Sequence, residues 1–460
     1  MSSAITAEQH SIDFIPLSER YGTPGRLFTL WFSVNLGILG AAIGALSIVA
    51  GLDLPEAAAA LAIGNAIGTV IMAAHSAQGP RLGVPQMIQS RAQFGVFGAA
   101  LPLVAVMVTY VLYTAANLLV IQGITESLFS LSSDGSLLLI ALATLVIAYI
   151  GYELIHRIGK VLTILSCALL LAATVLLYAR HQGPDIAAHP VTTHFVGMVF
   201  SLTITQAAAW SFSYGPYVAD YSRYLPPDVA SAKTFWSTAL GCFLGSTLTM
   251  IFGAYLACKM PALASNPAAA VSDLFGSARP VAQALLILGI LYGTVMNVYS
   301  AYMSSCTIFS GFNRMSRVGN AFKFAVMAVI TVVAIVVSVY SQGDFQEYFA
   351  NILSAMIYML VPWSAINLAD YYLVRRGVYD VPALFDVHGC YGAYRWRTIV
   401  VFLLGIAVQG PFMSLSFYQG WVARRIGGDI AWLPGFLVPA VLYVLVERGT
   451  SLQSCLVPPE

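Results

Sequence analysis

Apolar stretches free of Asp, Glu, Lys and Arg recur along the chain, parted by short polar segments. Twelve can be marked: 27–52, 57–80, 92–125, 135–152, 161–179, 186–219, 234–258, 280–313, 324–343, 348–369, 398–423 and 430–446. Each is near or above the roughly 20 mostly apolar residues that a membrane-crossing helix needs. A β-barrel would show short alternating segments instead, and lipid tolerates no unpaired backbone, so the pattern predicts helices. The expected fold class is all-α integral membrane, with twelve transmembrane helices.

The loops carry a second signal. With both termini on one side, five of the 21 Lys and Arg residues (Arg180, Lys259, Arg279, Arg424 and Arg425) fall opposite, and the other 16 share the side of the termini. Such an excess marks the cytoplasmic side. Arg424 and Arg425 run against the trend. The expectation is a multi-pass protein of the cell membrane with cytoplasmic N- and C-termini. The polar opening "MSSAITAEQHSIDFIPLSER" has no apolar core, so no cleaved signal peptide is expected.

Two spans are interrupted. Span one contains "NLGILGAAIG", with Gly37, Gly40 and Gly44, and span six contains "WSFSYGPY", with Gly215-Pro216. They open two five-span blocks, and an odd number of spans turns the second block upside down. Inverted repeats with broken helices in matching positions are a transporter feature. The expected division is a cytoplasmic segment 1–26, repeat one 27–180, repeat two 186–369, a cytoplasmic linker 370–397, spans eleven and twelve 398–446, and a cytoplasmic tail 447–460. Glycine has a plainer use as well. Gly40/Gly44, Gly64/Gly68, Gly241/Gly245 and Gly289/Gly293 all have the spacing of close helix packing. Pro216 removes a backbone donor, and it either breaks span six or marks its approaching end.

Polar side chains inside the spans are mostly neutral. They include Asn35, Thr109, Tyr110, Tyr113, Asn117, Trp210, Ser211, Tyr214, Thr294, Asn297 and Ser300. No carboxylate falls mid-span; Asp53, Glu126, Glu153 and Asp220 lie at span ends. A proton relay would show buried acids or histidines, whereas hydroxyls and freed carbonyls suffice for Na⁺. The pattern favours a neutral-ligand cation site. It also favours a neutral or weakly polar substrate. Aromatic faces with amide groups suit a flat, hydrogen-bonding heterocycle. Asp220 and Arg223 stand one turn apart, either as a solvated ion pair at the inner end or as an inner gate.

Composition agrees and excludes other classes. The chain is 59% hydrophobic and 9% charged, with formal net charge +1, against roughly 25% charged residues in soluble domains. Nothing resembles a nucleic-acid footprint, a metal-ligand cluster, a P-loop or a catalytic triad. His75 ends span two without a metal-binding companion. The six Cys (167, 242, 258, 306, 390, 455) read as packing residues. The chain is therefore expected to be no enzyme, to need no cofactor beyond a coupling ion, and to meet membrane lipid, with no nucleic acid and no obligate protein partner.

Four stretches carry a resemblance. "GPRLGVPQMIQSRAQFG" (79–95), "SYGPYVADYSRYLP" (213–226), "WFSVNLGILG" (31–40) and "DYYLVRRGVYDVPALFD" (370–386) resemble the nucleobase–cation symporters, the purine–cytosine permease family. That resemblance implies a leucine-transporter-like 5+5 inverted repeat plus two helices. It implies a secondary transporter importing a nucleobase or related heterocycle (purine, cytosine, hydantoin or allantoin-like), coupled to Na⁺ or H⁺ by alternating access. By position, the substrate site falls on Tyr110, Tyr113, Trp210, Ser211, Tyr214 and Asn297. The cation site falls on the carbonyls of Gly37 and Gly40 and the hydroxyls of Thr294 and Ser300. Tyr110 stands where the family pattern has Gln, which weakens the case for cytosine. A carrier of the same fold for an amino acid, an amine or a vitamin precursor is the alternative.

Overall fold

The computed structural model describes residues 13–150, 152–181, 197–312, 320–341 and 344–448. The first residues expected for span six, the N-terminal dozen and most of the C-terminal tail lie outside them. Eighteen α-helices are described. In chain order they are α1 Gly25–Val34, α2 Ile38–Val49, α3 Leu54–Ser76, α4 Gly79–Leu82, α5 Gln86–Phe94, α6 Ala100–Phe129, α7 Ser133–Ile150, α8 Tyr152–His181 and α9 Gly197–Phe212. There follow α10 Val218–Ser222, α11 Ser231–Lys259, α12 Pro267–Asp273, α13 Arg279–Phe312, α14 Asn320–Tyr340, α15 Phe345–Ala369, α16 Trp396–Ala407, α17 Trp421–Ile426 and α18 Trp432–Arg448.

Every predicted stretch holds a helix. Among the described residues seven helical segments are long and apolar enough to cross a membrane, and α1 with α2 makes an eighth. The apolar parts of α8, α16 and α18 are shorter, and α9 has 16 described residues. Local chemistry explains the ends. Asp53 Oδ1 accepts the Glu56 N–H at 2.8 Å and Glu56 Oε2 accepts the Asp53 N–H at 3.3 Å, a reciprocal cap that starts α3. The carboxylates at that span end are thus structural.

Both expected breaks exist. Span one bends by 59° between α1 and α2, across residues 35–37. Span six stops at Phe212, turns through Gly215–Tyr217 as a 3₁₀ segment, and resumes as α10. Pro216 has no N–H to continue the α-helical ladder, so the chain tightens there. The broken helices pack against α3 and α11, while α6 packs on α13 and α15 on α18.

The four glycine pairs divide. A Cβ on Gly44 would fall on the Met250 carbonyl oxygen, on Gly64 and Gly68 on the Ile204 and Ala208 carbonyls, and on Gly241 and Gly245 on the Phe28 and Phe32 carbonyls. Those five glycines bring backbones together, whereas Gly40 faces the Thr249 methyl. Gly289 and Gly293 meet only the Ser166 Oγ at 3.1 Å and the Asn117 Nδ2 at 3.8 Å, so their spacing serves no comparable approach. Cys167, Cys242, Cys258 and Cys306 are free thiols. Cys390 is disulfide-bonded, which corrects the packing reading at that position.

One buried ion pair holds the linker. Arg375 Nε lies 3.1 Å from Asp370 Oδ1, and both side chains are fully buried. Tyr379 and Tyr443 each donate to the same carboxylate at 2.8 Å, and Gln93 donates at 2.6 Å. Removing one partner strands the other charge. Asp370→Asn is therefore expected to destabilise the protein by about 3–5 kcal/mol, read as a fall in melting temperature of the purified protein.

Candidate functional site

Three elements far apart in sequence meet where the helices break. Asn35, in the span-one break, accepts the Trp210 Nε1–H through Oδ1 at 2.7 Å and donates Nδ2 to the Trp31 carbonyl at 2.7 Å. One amide therefore ties span one to span six. Around it the rings of Trp31, Tyr214, Tyr217 and Tyr221 gather. Trp31 lies 5.4 Å from Tyr214, 6.2 Å from Tyr217 and 5.6 Å from Tyr221, centre to centre. From α6, Tyr110 meets Tyr217 at 5.9 Å and Tyr113 meets Trp210 edge-on at 5.8 Å. The Tyr113 hydroxyl and the Trp31 indole N–H are buried without a hydrogen-bond partner.

Beside this cluster lies a narrow cleft of about 70 Å³. Tyr110, Pro216, Tyr217, Asp220, Arg223 and Ser300 are among its walls. Pro85 and Met87 contribute from the start of α5, and Tyr299 and Ser304 from α13. Aromatic faces with a few hydroxyls and one carboxylate make a surface that binds flat, partly polar molecules. The α4–α5 segment is drawn in because Asp220 Oδ1 accepts the Gln86 N–H at 2.8 Å. Two stretches singled out in the sequence, 79–95 and 213–226, thus touch.

The expected site residues separate on inspection. Tyr110, Ser300, Asp220 and Arg223 line the cleft. Tyr113, Trp210 and Tyr214 are buried behind it as an aromatic wall. Ser211 is turned away: its hydroxyl donates to Asn65 Oδ1 at 2.6 Å, towards α3 and α11. Asn297 is half-buried on α13. Thr294 bonds the Ile290 carbonyl of its own helix at 2.8 Å. The Gly37 carbonyl accepts the Gly40 N–H at 3.0 Å, and Gly40 faces the Thr249 methyl. Arg223 donates Nε to the Asp220 carbonyl at 3.3 Å and Nη1 to the Asp13 carbonyl at 3.1 Å. Arg223 is therefore stitched to the Asp220 turn and to the N-terminal segment through main-chain carbonyls. Among the described residues no group of three His, Cys, Asp or Glu could hold a metal ion.

Sequence reasoning missed three things. Trp31 precedes Asn35 by one turn, and that spacing to a break was its only signal. Tyr217 and Tyr221 follow Gly215-Pro216, where only their closeness to the break marks them. His75 is a buried hub: Nε2 lies 2.6 Å from Ser364 Oγ, Nδ1 lies 3.2 Å from Gln86 Nε2, and its ring stacks on Trp363 at 4.8 Å.

With this geometry in place, residues 14–433 match the family described as "Permease for cytosine/purines, uracil, thiamine, allantoin". The chain belongs to this permease family. YxlA of Bacillus subtilis, whose name assigns it provisionally to the purine–cytosine permeases, is 38% identical over 442 residues, covering 96% of each chain. The purine–cytosine permease FCY22 of Saccharomyces cerevisiae is 24% identical over 488 residues, covering 97% of this chain and 87% of its own. The inward-facing structure of Mhp1 superposes with a TM-score of 0.79 at 17% identity, over 98% of this chain and 95% of that one. The closed form, with bromovinylhydantoin bound, gives 0.78 at 16% identity over 98% and 97%. Those structural likenesses show the leucine-transporter-like helical fold. The chain is a multi-pass membrane permease and not an enzyme.

Proposed function

We propose that this permease carries a nucleobase or a closely related flat heterocycle across the cell membrane by cation-coupled alternating access. The observation that carries the reading is the aromatic cluster joining two helix breaks beside an open cleft. Broken helices at the interface of two repeats are where transporters place substrate. Stacking supplies area, while hydroxyl, amide and carboxylate groups read the ring edges. The substrate wall in this reading is Tyr110, Tyr113, Trp210 and Tyr214, extended by Trp31, Tyr217 and Tyr221. Asn297 is the amide from α13. Ser211 is reassigned to helix packing. The Ser300 hydroxyl and the carbonyls of Gly37 and Gly40 remain candidate cation ligands, the Gly37 carbonyl already accepting from the Gly40 N–H, and Thr294 is engaged with its own helix. Asp220 and Arg223 form the inner rim and gate. The Lys and Arg asymmetry supports cytoplasmic termini, which makes the cleft an inward-facing one.

A thermal-shift screen of the purified protein tests the cargo. A ligand present at 100 times its dissociation constant stabilises the native state by about 2.7 kcal/mol. A rise with a purine, pyrimidine or hydantoin is expected, and none with amino acids or amines. A rise confined to amino acids or amines overturns the proposal. Uptake into proteoliposomes then separates the couplings, since an imposed Na⁺ gradient at fixed pH and an inward acid gradient without Na⁺ stimulate different carriers.

A further inference from the structure

At the end of the molecule away from the cleft sits a buried carboxylate. Asp429 lies between α17 and α18 and is 1% exposed. Its Oδ2 accepts the Tyr358 Oη–H and the Ser414 N–H, the latter at 2.7 Å. Its Oδ1 accepts the Thr205 Oγ1–H at 3.3 Å and the Ala431 N–H at 3.2 Å. Its own N–H donates to Ser201 Oγ at 2.7 Å. One side chain therefore clasps α9, α15, the turn after α16 and the start of α18.

The chemistry of this clasp depends on charge. An ionised carboxylate has acceptor sites for all four donors, whereas a protonated one must donate with one oxygen and loses an acceptor there. The groups facing Asp429 are Ser201 and Thr205 from α9, Tyr358 from α15, Ser414 from the turn after α16, and Ala431 from the start of α18. Tyr358 is the one titratable group among these contacts. The two cations of the neighbouring α17 are exposed, and Arg424 is turned onto the Gln419 carbonyl at 2.9 Å. Burial pushes the Asp429 carboxyl above the usual carboxylate range, against the pull of its four donors.

Position gives the clasp a consequence. Ser201 and Thr205 lie in α9, whereas the cleft begins beyond the far end of that helix, at Pro216. The clasp thus holds the broken span six and α15 against the C-terminal hairpin at one end while the cleft stands open at the other.

We propose that Asp429 is a proton-binding site, and that its protonation releases α9 and α15 from the α16–α18 hairpin and opens the permease at the end opposite the cleft. The proposal rests on the transport reading for its purpose, though not for its geometry.

Hydrogen–deuterium exchange of the full-length protein in lipid nanodiscs tests it, normalised to intrinsic exchange at each pH. In the wild type, exchange in 197–212 and 410–431 should rise several-fold as pH falls through one titration. Asp429→Asn removes the charge at nearly constant size and should exchange fast at every pH. Tyr358→Phe removes one donor to the ionised form, so the midpoint should move up by about one pH unit. A wild-type pH profile in Asp429→Asn, or an unmoved midpoint in Tyr358→Phe, overturns the proposal. Thermal shift of the wild type with heterocycles is read in parallel. Heterocycle binding without the acid-induced opening sinks the latch alone. Opening without binding of any heterocycle leaves the latch standing and sinks the transport reading.

Discussion

Trp210→Ala abolishes uptake, with a loss of at least about 100-fold, while the protein still inserts and purifies as a single species. Trp210 makes two edge-on contacts, to Tyr113 at 5.8 Å and Tyr214 at 6.1 Å. Such aromatic pairs are worth about 0.5–1.5 kcal/mol each beyond burial. The variant also strips Asn35 Oδ1 of its donor, leaving a fully buried acceptor empty, at a further cost of about 1–3 kcal/mol. Together these approach or exceed the roughly 2.8 kcal/mol that a 100-fold change represents. The loss falls on the joint between the two broken spans, so it is paid in transport geometry more than in global folding. Trp210→Phe keeps a ring and loses only the indole N–H, and it is expected to retain a measurable fraction of the rate. Uptake of a bound heterocycle into proteoliposomes is the measurement, with monodispersity as the control. Uptake of Trp210→Ala within a few-fold of wild type would remove this residue from the site. Asn297→Ala is the companion variant on α13, read in the same assay.

The second large effect is structural. Gly44→Val is expected to prevent α2 from seating on α11. A Cβ there would coincide with the Met250 carbonyl oxygen and crowd the Ala254 N and Met250 C atoms, all of them backbone. Backbone cannot rotate aside as a side chain does, so one helix must move bodily. Ordinary overpacking costs about 1–3 kcal/mol, and a main-chain clash belongs at or above the upper end. The expected result is loss of monodisperse protein, or a melting temperature far below wild type. Gly289→Ala is the contrasting variant. Its nearest neighbour is the Ser166 hydroxyl, which can turn away, so a change within about 0.5 kcal/mol is expected. Equal behaviour of the two variants would contradict the close approach of α2 and α11.

Much of this was legible from local chemistry. Spans announce themselves because burying some 20 residues in lipid demands an unbroken apolar run, whatever the neighbours are. The break in span six is written in Gly215-Pro216, since proline's missing N–H acts on its own helix. The family stretches were legible too, and 79–95 and 213–226 prove to be two sides of one contact between Gln86 and Asp220. Spacing alone was less reliable for glycine. Four pairs shared one pattern, yet Gly289 and Gly293 approach no backbone closely. A pattern states what a helix permits, and the partner helix decides whether the permission is used.

Side-chain direction was the part that sequence left open. Ser211 lies next to Trp210, yet it bonds Asn65 across 146 positions of sequence. Trp31 sits on α1, yet its ring meets Tyr214, Tyr217 and Tyr221 around the second break. Asp429 carries no signal of its own in the sequence; Thr205, which bonds it, is 224 residues earlier. The sequence by itself determined the membrane-spanning class, the order of the helices, the places where two of them break and the permease family. Those follow from hydrophobic runs and backbone rules that act within a few residues. The tertiary structure alone decided which polar groups share a site, which serve only packing and which carboxylate is buried. Hydrogen bonds and ring contacts act over a few ångströms, and folding brings within that range residues that the chain keeps hundreds of positions apart.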